Sequence, residues 1–362
     1  MKKKVLIIVT CPFDGYGITM VVKNYCERLK QYVEFDFLLC AGYEKNEYDF
    51  FLKNGFNVYS AVCLRIRHPF RYVKWLTSFL KEKKYDCVHV HGNSGTLFFD
   101  IHAAKKAGIK NRIAHCHNTS CRFKIVHFLL KNRLNKEITN GLACSEKAGE
   151  WLFKNHFTVL KNAIDTNLFF YSQSYRQSLR REYGVTGDKI LLHVGRMHAQ
   201  KNQLFLIDVM KKLVGVDRSY KLFMIGDGEM LTDVKKRIEQ YKLTESVFLL
   251  GKKQPIGFYY SFADMFVFPS IYEGFGLVAV EAQSSGLPVI ASCAVPPEVN
   301  ITNLVRHLEL DVDLWAKNIE SFFESKKTDR EKISIESINL IKKHGYDIDE
   351  NCKKLMSIYN LD

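Results

Sequence analysis

Two glutamates stand eight residues apart in a stretch whose residue types suit sugar and anion binding. Glu273 lies in a glycine-containing loop, and Glu281 lies in an apolar run that predicts a helix over residues 277–285. Backbone N–H groups at the start of that helix would be free to bind an anion or hydroxyl oxygens. A carboxylate in a helix can accept two hydrogen bonds from the vicinal hydroxyls of a ribose. The alternative is a helix cap followed by a surface salt bridge.

Two cations follow another predicted strand. Arg196 comes directly after Gly195 at the end of a strand predicted over residues 189–194, and Lys201 precedes a helix predicted over residues 202–213. A helix N-terminus favours phosphate, and an arginine fork with a lysine charge adds to that preference. The spacing therefore predicts a clamp for a diphosphate, although the same spacing alone also occurs as ordinary surface charge.

Four histidines lie near the ends of predicted strands, namely His89, His91, His115 and His117. A histidine in such a place is more often structural than functional. The two His-x-His pairs could together hold a metal ion. We expect no metal, because protein cations can neutralise a diphosphate and no Asp-x-Asp motif stands at a predicted strand end.

The elements around these residues alternate between short apolar strands and helices. The predicted strands cover residues 4–10, 35–40, 86–90, 112–114, 138–143, 158–160, 189–194, 221–225, 247–250, 265–268 and 289–291. Such alternation is typical of parallel sheets covered by helices, which bind ligands at the carboxyl ends of their strands. We predict an α/β protein with two Rossmann-like domains, residues 1–165 and 166–345.

The chain carries a net charge of +14, which is distributed unevenly along its 362 residues. Residues 1–165 contain 27 Lys and Arg against 14 Asp and Glu, whereas the remainder is nearly balanced. Two basic stretches include aromatic or aliphatic residues, at 65–75 and 122–136. Such stretches suit an anionic membrane surface. The alternatives are a solvated basic face and nucleic-acid binding, which would show a steep salt dependence and which we do not expect.

The composition excludes several classes of protein. Apolar residues make up 47% of the chain and charged residues 25%, which is a globular balance. The ten cysteines contain no Cys-x-x-Cys pair, so we expect reduced thiols in a cytoplasmic protein. The apolar run near the N-terminus is too short for a signal peptide or a membrane span, so any membrane association should be peripheral.

Residues 268–282 resemble the Glu-x7-Glu signature of the retaining glycosyltransferases of family 4. Other stretches resemble motifs of the same family, and they lie at residues 112–118, 143–146, 161–165, 194–202 and 225–229. The resemblance covers most of the chain. It implies the GT-B fold, in which two Rossmann-like domains face a central cleft. It also implies that a last helix, within about residues 346–362, packs back on the first domain. The sequence after residue 292 resembles a subgroup of exopolysaccharide and capsule enzymes.

Two positions depart from the family pattern. Ala163 stands where the interdomain motif has a glycine. Tyr16 stands where the first of two glycines is expected, immediately before Gly17.

The resemblance also implies roles for single residues. Arg196 and Lys201 would neutralise the leaving diphosphate, which is where charge develops during transfer. Glu273 would hold hydroxyls of the donor sugar, and Glu281 would hold the ribose. His117 would face the donor sugar from the first domain. The other donor-binding positions are Gly17, Gly195, Gly226, Gly228, Gly274, Phe275, Gly276 and Leu277.

The implied activity is transfer of a hexose or N-acetylhexosamine from a nucleotide-sugar, with UDP the expected nucleotide, and without a cofactor or a metal. The implied acceptor is a polyprenyl-diphosphate-linked sugar or a saccharide at the inner face of the cell membrane. A protein of another class fits the same motifs, namely a catalytically silent subunit that binds a nucleotide-sugar in a polysaccharide assembly complex.

Overall fold

The structure is a computed structural model that describes residues 2–15, 17–61, 64–154, 156–325 and 329–361. The chain divides into two compact units. The first comprises residues 1–163 and 348–362, and the second comprises residues 164–347. The division lies close to the boundary expected after Asp165.

The first unit is built on a seven-stranded parallel sheet with the strand order β3-β2-β1-β4-β5-β6-β7. Its central strand β1 has the sequence KKVLIIV, and the last five of its residues are buried. A parallel sheet covered on both faces requires such continuous apolar strands. The strands are β1 Lys3–Val9, β2 Val33–Leu39, β3 Asn57–Ser60, β4 Cys87–His91, β5 Asn111–Cys116, β6 Asn140–Ala143 and β7 Thr158–Val159.

Seven helices precede or connect these strands in the first unit. They are α1 Ile18–Leu29, α2 Tyr48–Asn54, α3 Leu64–Arg67, α4 Pro69–Lys83, α5 Phe98–Lys106, α6 Lys124–Glu137 and α7 Glu146–Leu152. Helix α5 packs between α4 and α6.

The second unit contains a six-stranded parallel sheet with the order β10-β9-β8-β11-β12-β13. The strand order reverses at β8, and a reversal of this kind is where doubly wound sheets bind ligands. The strands are β8 Lys189–Val194, β9 Tyr220–Ile225, β10 Val247–Leu249, β11 Met265–Phe268, β12 Val289–Ser292 and β13 Val305–Leu308. The helices are α8 Gln173–Glu182, α9 Gln203–Val216, α10 Leu231–Gln240, α11 Gly257–Phe262, α12 Leu277–Ser284, α13 Val312–Glu324 and α14 Arg330–Lys343.

The last helix, α15 Ile348–Ile358, belongs to the first unit and packs against α1. The guanidinium of Arg28 donates to both carboxylate oxygens of Asp349, at 2.5 and 2.8 Å. Tyr359, which follows α15, is buried, and its hydroxyl lies 2.7 Å from Nδ1 of His89. The segment that follows α15 therefore packs into the core of the first unit next to β4.

The predicted α/β class is confirmed. Every predicted strand corresponds to an observed one, but the edge strands β3 and β13 were not predicted. Both are short and carry exposed or half-buried polar residues, so they lack the apolar run that marks the central strands. No helix in the described part of the chain is both long enough and apolar enough to cross a membrane.

Candidate active site

The loop of residues 195–202 leaves the carboxyl end of β8 and leads into α9. A short 3-10 turn covers Ala199–Lys201, and Asn202 then adopts a left-handed conformation with a φ of 55°. The side-chain amide of Gln203 donates to the carbonyl oxygen of Arg196 at 2.9 Å. These features fix the backbone that carries both predicted phosphate-binding cations.

The buried side chain of His193 supports this loop from within the sheet. Its Nδ1 lies 3.0 Å from the carbonyl oxygen of Val267, and its Nε2 lies 3.2 Å from the amide nitrogen of Gln203. Burial, with a smaller contribution from the charge of Lys201, lowers the pKa of His193 to about 4, although the hydrogen bond to Val267 acts in the opposite direction. The imidazole is therefore neutral at physiological pH and serves to brace the loop.

Lys201 and Glu273 form an ion pair, although 72 residues separate them in the sequence. Nζ of Lys201 lies 2.5 Å from Oε1 of Glu273, and the same oxygen accepts a hydrogen bond from Oγ of Ser270 at 2.7 Å. The ammonium group also lies 5.2 Å from the centre of the Phe268 ring. The side chains of Lys201 and Glu273 are only 19% and 8% exposed, so solvent screens their interaction weakly.

Two predicted glycines allow neighbouring loops to touch. A Cβ atom on Gly226, where φ is 139°, would lie 1.9 Å from the carbonyl oxygen of Gly195. A Cβ atom on Gly228 would lie 2.3 Å from the carbonyl oxygen of Met197. The backbone N–H of Met197 also donates to the carbonyl of Asp227 at 2.9 Å. The loops after β8 and β9 therefore form one backbone surface, which a larger residue at either glycine would disrupt.

Glu281 projects from α12 and meets a tyrosine of α11. The hydroxyl of Tyr260 donates to Oε2 of Glu281 at 2.6 Å. Burial raises the pKa of Glu281 to about 7, although the hydrogen bond from Tyr260 acts in the opposite direction. The side chain of Glu281 is thus held in place by Tyr260, and its carboxyl group is shielded from solvent.

The start of α12 is shaped by the residues between the two glutamates. Gly276 has a φ of 98°, and a Cβ atom there would lie 2.8 Å from the Phe268 ring. The ring of Phe275 stacks on Tyr346 with 4.9 Å between centroids. Gly274 is exposed, whereas Leu277 is partly buried against the core. The N-terminus of α12 therefore lies on the loop that carries Glu273.

Four histidines of the first unit form one group, which we call the imidazole cluster: His89, His91 and His115, which are buried, and His117, which is half-buried. Neighbouring ring centroids lie 4.2 to 5.4 Å apart. Nε2 of His89 lies 3.3 Å from Nδ1 of His115, and Nδ1 of His91 lies 2.9 Å from Nε2 of His117. Sequence reasoning named all four but did not predict that they touch. Parallel pairing of β4 with β5 is what brings them together, with His91 opposite His115.

The imidazole cluster is also the one group of possible metal ligands in the described residues. His89, His91 and His115 offer nitrogen atoms within 4.8 Å of one another. Burial and mutual proximity lower the pKa of each of these three rings well below its ordinary value, and burial lowers that of His117 to about 4. The rings are therefore neutral. Two of their nitrogens, Nε2 of His115 and Nδ1 of His117, are buried without a hydrogen-bond partner.

Gly17 and His117 belong to the first unit, whereas the other predicted site residues belong to the second. Gly17 has a φ of 51° and immediately precedes α1, and no atom would meet a Cβ built on it. Tyr16, which departs from the family pattern, lies outside the described residues.

Sequence reasoning missed several contributors to the second unit's site. Tyr260, Ser270 and Tyr346 each contact a predicted site residue or its neighbour, as described above. Ser270 stands three residues before Glu273 in the sequence, and this short spacing could have indicated Ser270 as a partner of the glutamate. Tyr260 and Tyr346 give no comparable signal, because their contacts depend on how distant elements pack.

Comparisons with known families agree with these motifs. The profile of the Glycosyl transferases group 1 family matches residues 176–338. The profile of Glycosyltransferase Family 4 matches residues 16–192. Together the two matches span both units.

The chain resembles two curated proteins over most of its length. It is 30% identical to the putative glycosyltransferase EpsF of Bacillus subtilis (strain 168), over 99% of this chain and 97% of that one. It is 27% identical to UDP-Gal:alpha-D-GlcNAc-diphosphoundecaprenol alpha-1,3-galactosyltransferase of Escherichia coli, over 78% and 77%.

Solved structures show the same fold at lower sequence identity. A glycosyltransferase from Rickettsia africae superposes with a TM-score of 0.79 at 19% identity, covering 99% of this chain and 98% of that one. Anabaena HepE in complex with UDP superposes with a TM-score of 0.77 at 18% identity, covering 99% of both chains. The chain has the GT-B fold and belongs to the family 4 glycosyltransferases.

Proposed function

We propose that the protein is a retaining glycosyltransferase that moves a hexose or N-acetylhexosamine from a UDP-sugar to a lipid-linked or saccharide acceptor in cell-surface polysaccharide synthesis. The main observation behind the proposal is an ion pair between two loops. Lys201, in the loop of residues 195–202 at the carboxyl end of β8, pairs with Glu273, in the loop at the carboxyl end of β11. Three relatives support the substrate class. HepE has been solved with UDP and with UDP-glucose, the Escherichia coli relative is named for a diphosphoundecaprenol-linked acceptor, and EpsF matches over nearly the whole chain.

In the proposed reaction, charge develops on the departing diphosphate as its bond to the anomeric carbon breaks. Lys201 and Arg196 stabilise that charge from a fixed loop, where no reorganisation is needed during the reaction. Glu273 holds the ammonium group of Lys201 in one position, so the contribution of Lys201 to the reaction depends on Glu273. Glu281, held by Tyr260, accepts hydrogen bonds from the ribose.

Retention follows from attack on the face that the diphosphate leaves. The acceptor oxygen bonds to the anomeric carbon, and the acceptor proton passes to an oxygen of the departing diphosphate. We do not assign Glu273 as a covalent nucleophile. Its Oε1 is already engaged by Lys201 and Ser270, which suits an acceptor of hydrogen bonds from sugar hydroxyls.

We propose that this chemistry needs no metal ion. Arg196 and Lys201 supply the charge that a divalent cation would otherwise supply to a diphosphate.

We also propose that the first unit docks on an anionic membrane. Large apolar side chains of α3, α4 and α6 are exposed, with Ile66 63%, Phe70 86%, Ile125 78%, Phe128 61% and Leu129 70% exposed. A groove over α5 is lined by phenyl rings, by the carboxylate of Glu137 and by four cations, namely Lys74, Lys106, Arg133 and Lys136. Within the described residues these four cations have no ion-pair partner. Apolar side chains beside unpaired cations suit the interface of an anionic bilayer.

The structure corrects part of the predicted basic surface. Arg65 is buried and donates to Asp100 at 2.6 Å, and Tyr72 is buried beside the same carboxylate. Lys131 donates to backbone carbonyls of Glu150 and Trp151. These residues satisfy internal polar groups and do not face a membrane.

The experiment that tests the activity is a transfer assay with the full chain, a panel of UDP-sugars and an undecaprenyl-diphosphate-linked sugar, in the presence of a chelator. We expect one UDP-sugar to be consumed and the anomeric configuration of the product, determined by NMR, to match that of the donor. An inverted product would refute retention. Activity that appears only after a divalent metal is added would refute metal independence. A folded protein that binds a UDP-sugar but transfers nothing to any acceptor would favour the silent subunit.

A further inference from the structure

Gln200, in the loop after β8, makes two hydrogen bonds to the loop that carries Glu273 after β11. Its backbone carbonyl oxygen accepts from the N–H of Ile271 at 2.8 Å, and its side-chain amide donates to the carbonyl oxygen of Tyr272 at 2.8 Å. The N–H of Gln200 itself donates to Nδ1 of His198 at 3.1 Å. Gln200 therefore joins the two loops from a backbone position that is itself fixed.

The segment between Ser270 and Glu273 has little other support. It belongs to no helix or strand. The side chains of Ile271 and Tyr272 are 50% and 59% exposed, so packing in the core does not hold them. Among the described residues, Gln200 is the one hydrogen-bond partner of the backbone at these two positions. The position of the segment, and of the glutamate that ends it, therefore depends on Gln200.

The carboxylate of Glu273 has one oxygen engaged by the protein and one left for a ligand. Oε1 accepts from both Lys201 and Ser270. The carbonyl oxygen of Ser270 in turn accepts from the hydroxyl of Ser292, which fixes this serine. Oε2 of Glu273 accepts no hydrogen bond from the described residues. Oε2 is therefore the oxygen that a hydroxyl group of a ligand can reach.

The ion pair with Lys201 cannot by itself keep Glu273 in place when a diphosphate binds. The ammonium group has three N–H donors, and the negative charge of a diphosphate would compete with Glu273 for them. The hydrogen bond from Gln200 to Tyr272 joins two uncharged groups, so the charge of the ligand has little effect on it. Gln200 can therefore keep the two loops together while Lys201 is shared with the diphosphate.

We propose that Gln200 is a positioning residue that holds the Glu273 loop against the loop of residues 195–202, so that Oε2 of Glu273 meets a hydroxyl group of the donor sugar while Lys201 binds the diphosphate. The inference rests on the proposed function, and the family resemblance gives Gln200 no role of its own. Because Gln200 acts through Glu273, its loss should weaken binding of the sugar and leave binding of the nucleotide unchanged.

Hydrogen exchange of the full chain without ligand, followed by mass spectrometry, tests whether Gln200 holds the loop. We expect the amide groups of residues 271–276 to exchange about fivefold faster in Gln200→Ala, the effect of one lost hydrogen bond. The matched control is Gln240→Ala, at an exposed glutamine that ends α10 and whose side chain makes no hydrogen bond to the described residues. Unchanged exchange in Gln200→Ala would overturn the proposal, whatever the enzyme proves to transfer.

Calorimetric titration with UDP, and with the UDP-sugar that wild type binds most tightly, tests what the loop position serves. In Gln200→Ala we expect Kd for the UDP-sugar to rise about fivefold and Kd for UDP to stay within about twofold of wild type. Gln200→Glu keeps the length of the side chain but sets a carboxylate oxygen against the carbonyl of Tyr272. It should lose at least as much affinity for the UDP-sugar as Gln200→Ala, whereas Gln240→Ala should bind both ligands like wild type.

Equal weakening of UDP and UDP-sugar binding would show general damage to the loop of residues 195–202 and would overturn the positioning role. Wild-type affinity of Gln200→Glu for the UDP-sugar would also overturn it, because the amide donor would then be unnecessary. A wild-type protein that binds no UDP-sugar would instead refute the proposed function. The exchange measurement would still decide whether Gln200 holds the Glu273 loop.

Discussion

Glu281, which we propose binds the ribose, has a cost to stability because its carboxyl group is buried. The pKa of Glu281 is raised to about 7, so the folded protein binds a proton that the unfolded chain releases near its ordinary value of 4.5. The free energy of unfolding should therefore fall as the pH rises from about 4.5 to 7, and the full cost should remain at higher pH. Above pH 7 the carboxylate is ionised and can accept two hydrogen bonds from ribose.

The substitution Glu281→Gln should therefore raise the stability of the protein and lower its affinity for uridine. At pH 8 the variant should be more stable than wild type, by about 3 kcal/mol at most, because it has no carboxylate to desolvate. Its affinity for uridine should be lower and independent of pH. In wild type, affinity should weaken about tenfold between pH 8 and pH 5.5. Uridine is chosen because none of its groups titrates in this range.

Calorimetric titration and urea unfolding at both pH values measure these effects. A wild-type affinity that does not change with pH would contradict the assignment of Glu281 to the ribose. Tyr260→Phe is a useful comparison, since it keeps the carboxylate but removes the hydroxyl that orients it.

The strands around the site could be predicted where the residue pattern within one segment is enough to define a strand. Continuous apolar runs identified β8 and β11, and Gly226 and Gly228 were named as donor-binding positions because residues 225–229 resemble a family motif. The contacts themselves were not predictable. Gly226 is needed because a carbonyl of another loop, 31 positions earlier in the sequence at Gly195, lies where its Cβ would be.

Two features that the sequence patterns did not predict depend on how the helices pack. Helix α11 is only six residues long and was not predicted, so Tyr260 was not recognised as the partner of Glu281. Arg65 was assigned to a membrane-facing surface because its neighbours in sequence are basic and aromatic. The structure instead buries it against Asp100 of α5, a contact that depends on tertiary structure.

For the whole molecule, the uneven charge is the feature with a testable consequence. Replacing Lys74, Arg133 and Lys136 together with glutamate should reduce binding to vesicles that contain phosphatidylglycerol by at least about 100-fold, because each cation near an anionic surface contributes about 1 kcal/mol. Binding of the wild type should also weaken as salt is raised. Vesicle flotation measures both.

The control for this prediction changes net charge equally in the second unit. Lys235, Lys236 and Lys317 are exposed and without ion-pair partners among the described residues. Their triple replacement by glutamate should leave vesicle binding within about threefold of wild type. Equal losses of vesicle binding in the two triple variants would show that binding responds to net charge alone. Unchanged binding in the variant of Lys74, Arg133 and Lys136 would refute the proposed docking surface.

The central claim is that the second unit binds a UDP-sugar by its diphosphate without a metal ion. The most direct measurement is thermal unfolding of the full chain with UDP-, GDP- and ADP-sugars in the presence of a chelator, for wild type, Lys201→Ala and the exposed control Lys235→Ala. A ligand at 100 times its Kd stabilises the folded state by about 2.7 kcal/mol. We expect a UDP-sugar to raise the Tm of wild type and of Lys235→Ala by several degrees and that of Lys201→Ala much less. No shift with any UDP-sugar, a shift only with added metal, or an equal shift in Lys201→Ala would contradict the account.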